Sequence, residues 1–172
     1  MSRSVLMVSQ PTVAGVAQCV LDWAVGLAQR DWTVTVACPS DGWLGDALHK
    51  RDVTVIAWES LREPTQGLRT ESTTLRDVIK RTDPDVVFLH GSKAGLIGRL
   101  VTRRRRPTAF APHAWSFEAV TGRTRSAALA WERFASRWTS RFICVSDAER
   151  ELGETAGITG AYTVARNGVD LQ

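Results

Sequence analysis

The residues of this sequence that could do chemistry are His90, Lys93, His113 and Trp115, together with one glycine, Gly15. All five stand just beyond, or at the end of, short apolar runs. Pro112 closes the run Thr108 to Ala111, and His113 emerges directly after it. A histidine there can hydrogen-bond a hydroxyl or a developing charge. Two residues on, Trp115 offers an apolar wall for a ligand ring, with core packing as the other reading. His90 ends the run Val86 to His90 and reads as a partly buried, hydrogen-bonded histidine. In the following Gly91-Ser92-Lys93, Ser92 is a plausible helix N-cap. Lys93 then falls in the first helical turn, a poor place for a cation on dipole grounds. That position predicts a charge turned towards a crevice; an ordinary exposed lysine is the alternative. Gly15 follows Gln10-Pro11-Thr12-Val13-Ala14 at the start of a helix pattern. Unpaired N–H groups at a helix start favour an anion, while a tight turn alone would also explain the glycine. The segment lacks the GxGxxG pattern, which disfavours NAD or FAD.

The elements that position these residues alternate. Strand patterns cover 5–9, 33–38, 53–58, 86–90, 108–111, 142–145 and 162–165, rich in Val, Ile, Thr and Phe. Helix-period segments cover 16–29, 44–51, 72–82, 94–105, 126–140 and 147–155, with 61–71 reading as loop. Ser146 and Glu149 have the spacing of a capping box before the last helix. Trp131 and Trp138, seven apart, predict core or interdomain packing. Strict strand–helix alternation with right-handed crossovers predicts an α/β, doubly wound, mostly parallel Rossmann-like sheet of about seven strands, with helices on both faces. Ligands of such sheets bind beyond the carboxyl ends of the strands, where the five residues lie.

The chain has 172 residues, enough for one domain, with 44% apolar and 23% charged residues. Only four apolar residues, Val5 to Val8, follow the N-terminal Met-Ser-Arg-Ser, too few for a signal peptide, so a cytoplasmic protein is expected. Cys19, Cys38 and Cys144 form no CxxC pair and read as buried reduced thiols. The net charge of +4 is uneven. From Arg99 to Arg150 there are 11 basic and 4 acidic residues, including the run Arg103, Arg104, Arg105 and Arg106. That stretch reads as a solvated helix end, or as a surface for an anionic partner such as the inner face of a membrane or a phosphorylated acceptor. Nucleic acid is disfavoured because no aromatic residues interleave the arginines.

Read together in order, the motifs resemble family 4 glycosyltransferases of the GT-B fold. They are the Gly15 loop, Leu27-Ala28-Gln29-Arg30, Asp83-Pro84-Asp85-Val86-Val87, His90-Gly91-Ser92-Lys93-Ala94-Gly95, Pro112-His113-Ala114-Trp115, Trp131-Glu132-Arg133, Val145-Ser146-Asp147-Ala148-Glu149-Arg150 and Asn167-Gly168-Val169-Asp170. The resemblance implies one half of a two-domain enzyme. Residues 1–166 would be the N-terminal, acceptor-side domain, and 167–172 the start of the link to an absent C-terminal, donor-binding domain. It further implies a retaining transfer from a nucleotide-sugar to an acceptor hydroxyl, with no metal or other cofactor. His113 would contact the transferred sugar, Gly15 the donor phosphate, and Lys93 and Trp115 the acceptor side. The fragment alone would be inactive. The family usually has two adjacent glycines in the first loop, and Ala14 stands in place of the first. The competing readings are a non-catalytic Rossmann or flavodoxin-like binding module, a nucleotide-linked oxidoreductase and a sugar-nucleotide epimerase of the same fold.

Overall fold

The computed structural model describes residues 3–63 and 66–168. Seven strands, β1 (Ser4–Ser9), β2 (Thr33–Cys38), β3 (Thr54–Ala57), β4 (Val86–His90), β5 (Thr108–Ala111), β6 (Arg141–Cys144) and β7 (Tyr162–Val164), form one sheet in the order β3-β2-β1-β4-β5-β6-β7. Every strand pair is parallel. The chain moves outward from β1 to β2 and β3, then returns to lay β4 on the other side of β1. That reversal opens a crevice beyond the ends of β1 and β4. The expected fold class is therefore the observed one.

Helices α1 (Ala14–Ala28) and α2 (Leu44–His49) cover one face. They bury Val5, Met7, Val34, Val36 and Phe88 against Ala17, Val20, Leu21, Ala24 and Leu48. The opposite face carries α3 (Leu68–Thr82), α4 (Gly91–Thr102), α5 (Gly122–Ala135) and α6 (Asp147–Thr155). There Leu6, Val8, Val87, Leu89, Phe110 and Phe142 pack on Leu75, Val78, Ile97 and Trp115. Glycine brings α4 close to the sheet: a Cβ at Gly98 would lie 2.2 Å from Leu89, and one at Gly95 2.4 Å from Phe110. Between α4 and α5 lies a buried ion pair, Arg99 to Glu132 at 2.8 Å, with the guanidinium stacked on Phe110. Arg99 thus belongs to the interior, not to the basic surface.

Several boundaries differ from the sequence expectation. Helix α3 starts at Leu68, inside the expected loop, because Glu71 is buried and accepts the Leu61 N–H at 2.7 Å. Helix α4 starts at Gly91, with His90 as its N-cap, so Ser92 is not the cap. It stops at Thr102 because Arg103 and Arg104 both turn left-handed, at φ 41° and 63°. The arginine run is therefore a turn beyond the helix. Helix α5 spans Gly122–Ala135 rather than 126–140, and a short 3-10 turn, Ser136–Trp138, follows it. All three cysteines are free and buried, as expected. Residues 169–172 of the expected interdomain link lie outside the described residues.

Candidate functional site

Register decides what meets at the crevice. Ser9, His90 and Ala111 stand level at the ends of β1, β4 and β5. The loop after β5 brings His113 back over β4, and the two imidazoles meet, His90 Nδ1 to His113 Nε2, at 3.1 Å. Side chains two apart on a strand share a face, so Phe88 lies beneath His90. Trp23 of α1 stacks on Phe88 with centroids 5.3 Å apart and tilts against both histidines, at 5.5 and 6.0 Å. His90 is fully buried on this aromatic floor and His113 half-buried. Burial disfavours the charged ring. It pushes His113 down to about 4 and, with the His113 charge as a smaller cause, holds His90 well below the usual histidine range. Both rings are neutral near pH 7, so His113 acts as a hydrogen-bonding group and not as a cation.

The loop that carries His113 is unusual in its backbone. His113 and Ala114 are both left-handed, at φ 51° and 85°. Glu149 holds them there. Its carboxylate accepts the Ala114 N–H and the Val145 N–H, each at 2.8 Å, and so ties the end of β5 to the end of β6. Only half of the expected capping box forms. Ser146 Oγ accepts the Glu149 N–H at 3.1 Å, but the Glu149 side chain goes to Val145 and Ala114 instead of back to Ser146. The Ala114 N–H, turned by these two left-handed residues, finds its acceptor in Glu149.

Gly15 lies in the first turn of α1, at the mouth of the same crevice. A Cβ there would meet nothing within 4 Å, so the space in front of this helix end is open. Neither α1 nor α4 has a side-chain cap or an acidic residue in its first turn. Their unpaired N–H groups suit an anion. Ala14 has a left-handed, glycine-like backbone, φ 61°.

The structure does not turn Lys93 towards the crevice. Its ammonium is buried, 2.9 Å from Glu71 Oε2, and donates to the carbonyls of Glu63 and Gln66, both at 2.7 Å. The buried Glu71 carboxylate requires a counter-charge, which outweighs the unfavourable dipole at the start of α4. Lys93 thereby anchors the segment between β3 and α3. Trp115 follows the packing reading: it is 1% exposed, stacks on Phe117, and donates its indole N–H to the Glu149 carbonyl at 2.8 Å. Trp131 and Trp138 join Phe134 in an aromatic cluster beside α5, with Phe134 exposed. The sequence reading passed over three contributors: Glu149 as a clamp, His90 as the partner of His113, and the Trp23–Phe88 floor. The signals for them were indirect: the Ser146–Glu149 spacing, the place of Trp23 on the apolar face of the first helix, and the shared strand face of Phe88 and His90.

Residues 13–172 match the family model described as Glycosyltransferase Family 4. The chain belongs to that family. One curated relative, the UDP-Gal:alpha-D-GlcNAc-diphosphoundecaprenol alpha-1,3-galactosyltransferase of Escherichia coli, is 25% identical over 94% of this chain and 43% of its own length. Among solved structures, HepE from Anabaena in complex with UDP and glucose superposes with a TM-score of 0.77 at 21% identity, over 98% of this chain and 45% of HepE. A glycosyltransferase from Rickettsia africae gives 0.76 at 18% identity, over 98% and 44%. The chain thus spans less than half the length of these three proteins, and its fold is that of one half of a GT-B glycosyltransferase.

Proposed function

We propose that this chain is the acceptor-side half of a retaining glycosyltransferase that moves a sugar from a nucleotide-sugar to an acceptor hydroxyl. A donor-binding domain is needed for turnover, so the 172 residues alone are inactive. The observation that carries the reading is the neutral His113, paired with His90 at the end of β4, the strand beside the reversal from which the uncapped α1 also departs. Such a transfer needs the departing diphosphate stabilised and the acceptor hydroxyl held near the anomeric carbon; positioning and electrostatics supply most of the acceleration. The N–H groups around Gly15 stabilise the diphosphate, and His113 hydrogen-bonds the sugar. The Ala14 methyl narrows the approach. Lys93 shapes the acceptor side through the segment it anchors, and Trp115 through its support of the His113 loop. The galactosyltransferase of Escherichia coli and HepE, by name, point to a UDP-sugar as the donor class.

The test is a sugar-transfer assay with UDP-sugars, run on the 172-residue chain and on a form that carries a donor-binding domain in cis. Transfer is expected only from the second, and His113→Ala in it should lower kcat/KM by roughly 100-fold. Turnover by the shorter chain would overturn the half-enzyme reading. An unaffected His113→Ala would overturn the site.

A peripheral contact with an anionic membrane is a second proposal, supported by the exposed Phe134 between two tryptophans. Arg137 lies over Phe134 at 4.1 Å and Arg103 over Trp138 at 5.6 Å. Arg103, Arg104 and Arg105 are exposed, whereas Arg106 is partly buried and paired with Asp83, so the first three are the members of the run expected to face lipid. This patch lies at the far end of α4, roughly 18 Å from the crevice at 1.5 Å per residue. It would tether the protein, not deliver an acceptor. Sedimentation with phosphatidylglycerol vesicles tests it: changing Arg103 to Arg106 to glutamate should abolish binding, and unchanged binding removes the proposal.

A further inference from the structure

We propose that His90 is a positioning residue: it donates its Nδ1–H to His113 Nε2 and so keeps the single proton of His113 on Nδ1, as the donor to an oxygen of the bound sugar. The inference rests on the reading of His113 as the sugar-contacting residue and adds the atom and the direction of that hydrogen bond.

Two neutral rings whose nitrogens stand 3.1 Å apart share one proton, and two arrangements are open. In the first, His113 Nε2–H donates to His90 Nδ1. His90 then carries its own proton on Nε2. That nitrogen is buried and has no partner among the described residues. A buried, unpaired N–H costs about 1–3 kcal/mol. In the second, His90 Nδ1–H donates, and the buried Nε2 holds only a lone pair. Unpaired acceptors are tolerated more often than unpaired donors. Among the described residues nothing near His90 accepts a proton from Nε2, and the rings of Phe88 and Trp23 pack against it, at centroid distances of 4.2 and 5.5 Å. The second arrangement therefore prevails. It leaves the His113 proton on Nδ1, the one nitrogen of the pair that is neither buried without a partner nor used between the rings. A neutral donor at that point can bond a sugar hydroxyl or ring oxygen without attracting free anions into the crevice. The left-handed backbone at His113 and Ala114, held by Glu149, fixes where the ring starts. His90 fixes which way its donor faces.

The experiment is a long-range proton–nitrogen correlation spectrum of the chain with ring-15N histidine at neutral pH. The chain has only three histidines, His49, His90 and His113, so single substitutions assign every signal. The expected wild-type result is a protonated Nδ1 and a bare Nε2 on His113. In His90→Phe, which keeps a ring but removes the donor, His113 should gain the Nε2–H form. In His90→Asn, whose amide can donate from near the Nδ1 position, the Nδ1–H form should return. A wild-type His113 protonated on Nε2 overturns the proposal, as does an unchanged His113 in His90→Phe. Should the phenylalanine variant not fold, the wild-type spectrum decides alone. In a form carrying a donor-binding domain, His90→Phe should cost roughly 10- to 100-fold in kcat/KM. Combined with His113→Ala it should cost no more than His113→Ala does alone. Failure of sugar transfer with the expected tautomer would remove the glycosyltransferase reading and leave only the tautomer set by His90 standing. Transfer with the other tautomer would do the reverse.

Discussion

Mild acid should destabilise this protein through its two buried histidines, in a pH window where carboxylates contribute little. In the unfolded chain both rings titrate at the ordinary value of 6.5. In the folded chain burial keeps His113 neutral down to about 4 and holds His90 well below the usual histidine range. As pH falls below 6.5 the unfolded state therefore binds protons that the native state does not, and stability falls. Each histidine contributes a slope approaching 1.4 kcal/mol per pH unit. Between pH 7 and pH 5 the loss from His113 is about 2 kcal/mol, and His90 adds to it in the same direction. A domain of this size is stable by about 5–15 kcal/mol, so the effect is a large fraction of the whole. Asp85, whose carboxyl is held below its usual range by hydrogen bonds from Ser4, acts only in stronger acid. The assay is urea unfolding followed by tryptophan fluorescence at constant ionic strength across this range. The double variant His90→Phe with His113→Phe should flatten the dependence, while His49→Phe, at an exposed position, should leave it intact. Wild-type stability unchanged from pH 7 to pH 5, or a double variant with the wild-type slope, would refute the burial argument.

Ala14→Gly should stabilise the protein by up to about 1 kcal/mol, because a left-handed residue at φ 61° carries a Cβ penalty that glycine lacks; urea unfolding checks it, and a loss of stability would count against strain at this turn. Glu149→Ala should destabilise by roughly 2–4 kcal/mol by orphaning the Ala114 and Val145 N–H groups. Glu149→Gln should fall between it and wild type, and nuclear magnetic resonance of His113 should shift in both. Lys93→Met should cost about 3–5 kcal/mol by leaving Glu71 buried without its cation, and the pair Lys93→Met with Glu71→Met should recover only part of that in thermal unfolding, because the Leu61 N–H loses its acceptor. Burial pushes the thiols of Cys19 and Cys144 up to about 12 and that of Cys38 up to about 11. Native protein should accordingly react with a thiol reagent at pH 8 far more slowly than urea-unfolded protein.

Much of the frame was legible from local pattern. Thr33–Cys38, Val86–His90 and Thr108–Ala111 match their expected bounds, because a buried parallel strand shows as a short apolar run between turn formers. His113 could be singled out from sequence because its position after Pro112 and a strand is a local fact, and a parallel sheet sends all such exits to one edge. Helix ends were less legible. The start of α3 at Leu68 depends on Glu71 folding back to Leu61, and the stop of α4 depends on two arginines turning left-handed, neither of which periodicity records.

What the sequence determined by itself is the alternation, the class of sheet and the set of residues at its carboxyl edge. Tertiary structure alone decided their partners. Lys93 reads as a free charge until Glu71, on another helix, comes within 2.9 Å. Glu149 reads as half of a capping box until the ends of β5 and β6 lie side by side. His90 and His113 are 23 residues apart in the chain and meet only because β4 and β5 are neighbours in the sheet. The physical reason is that periodicity reports which face a side chain occupies, whereas a buried polar group takes whatever partner the packed neighbours present, and strand order sets those neighbours.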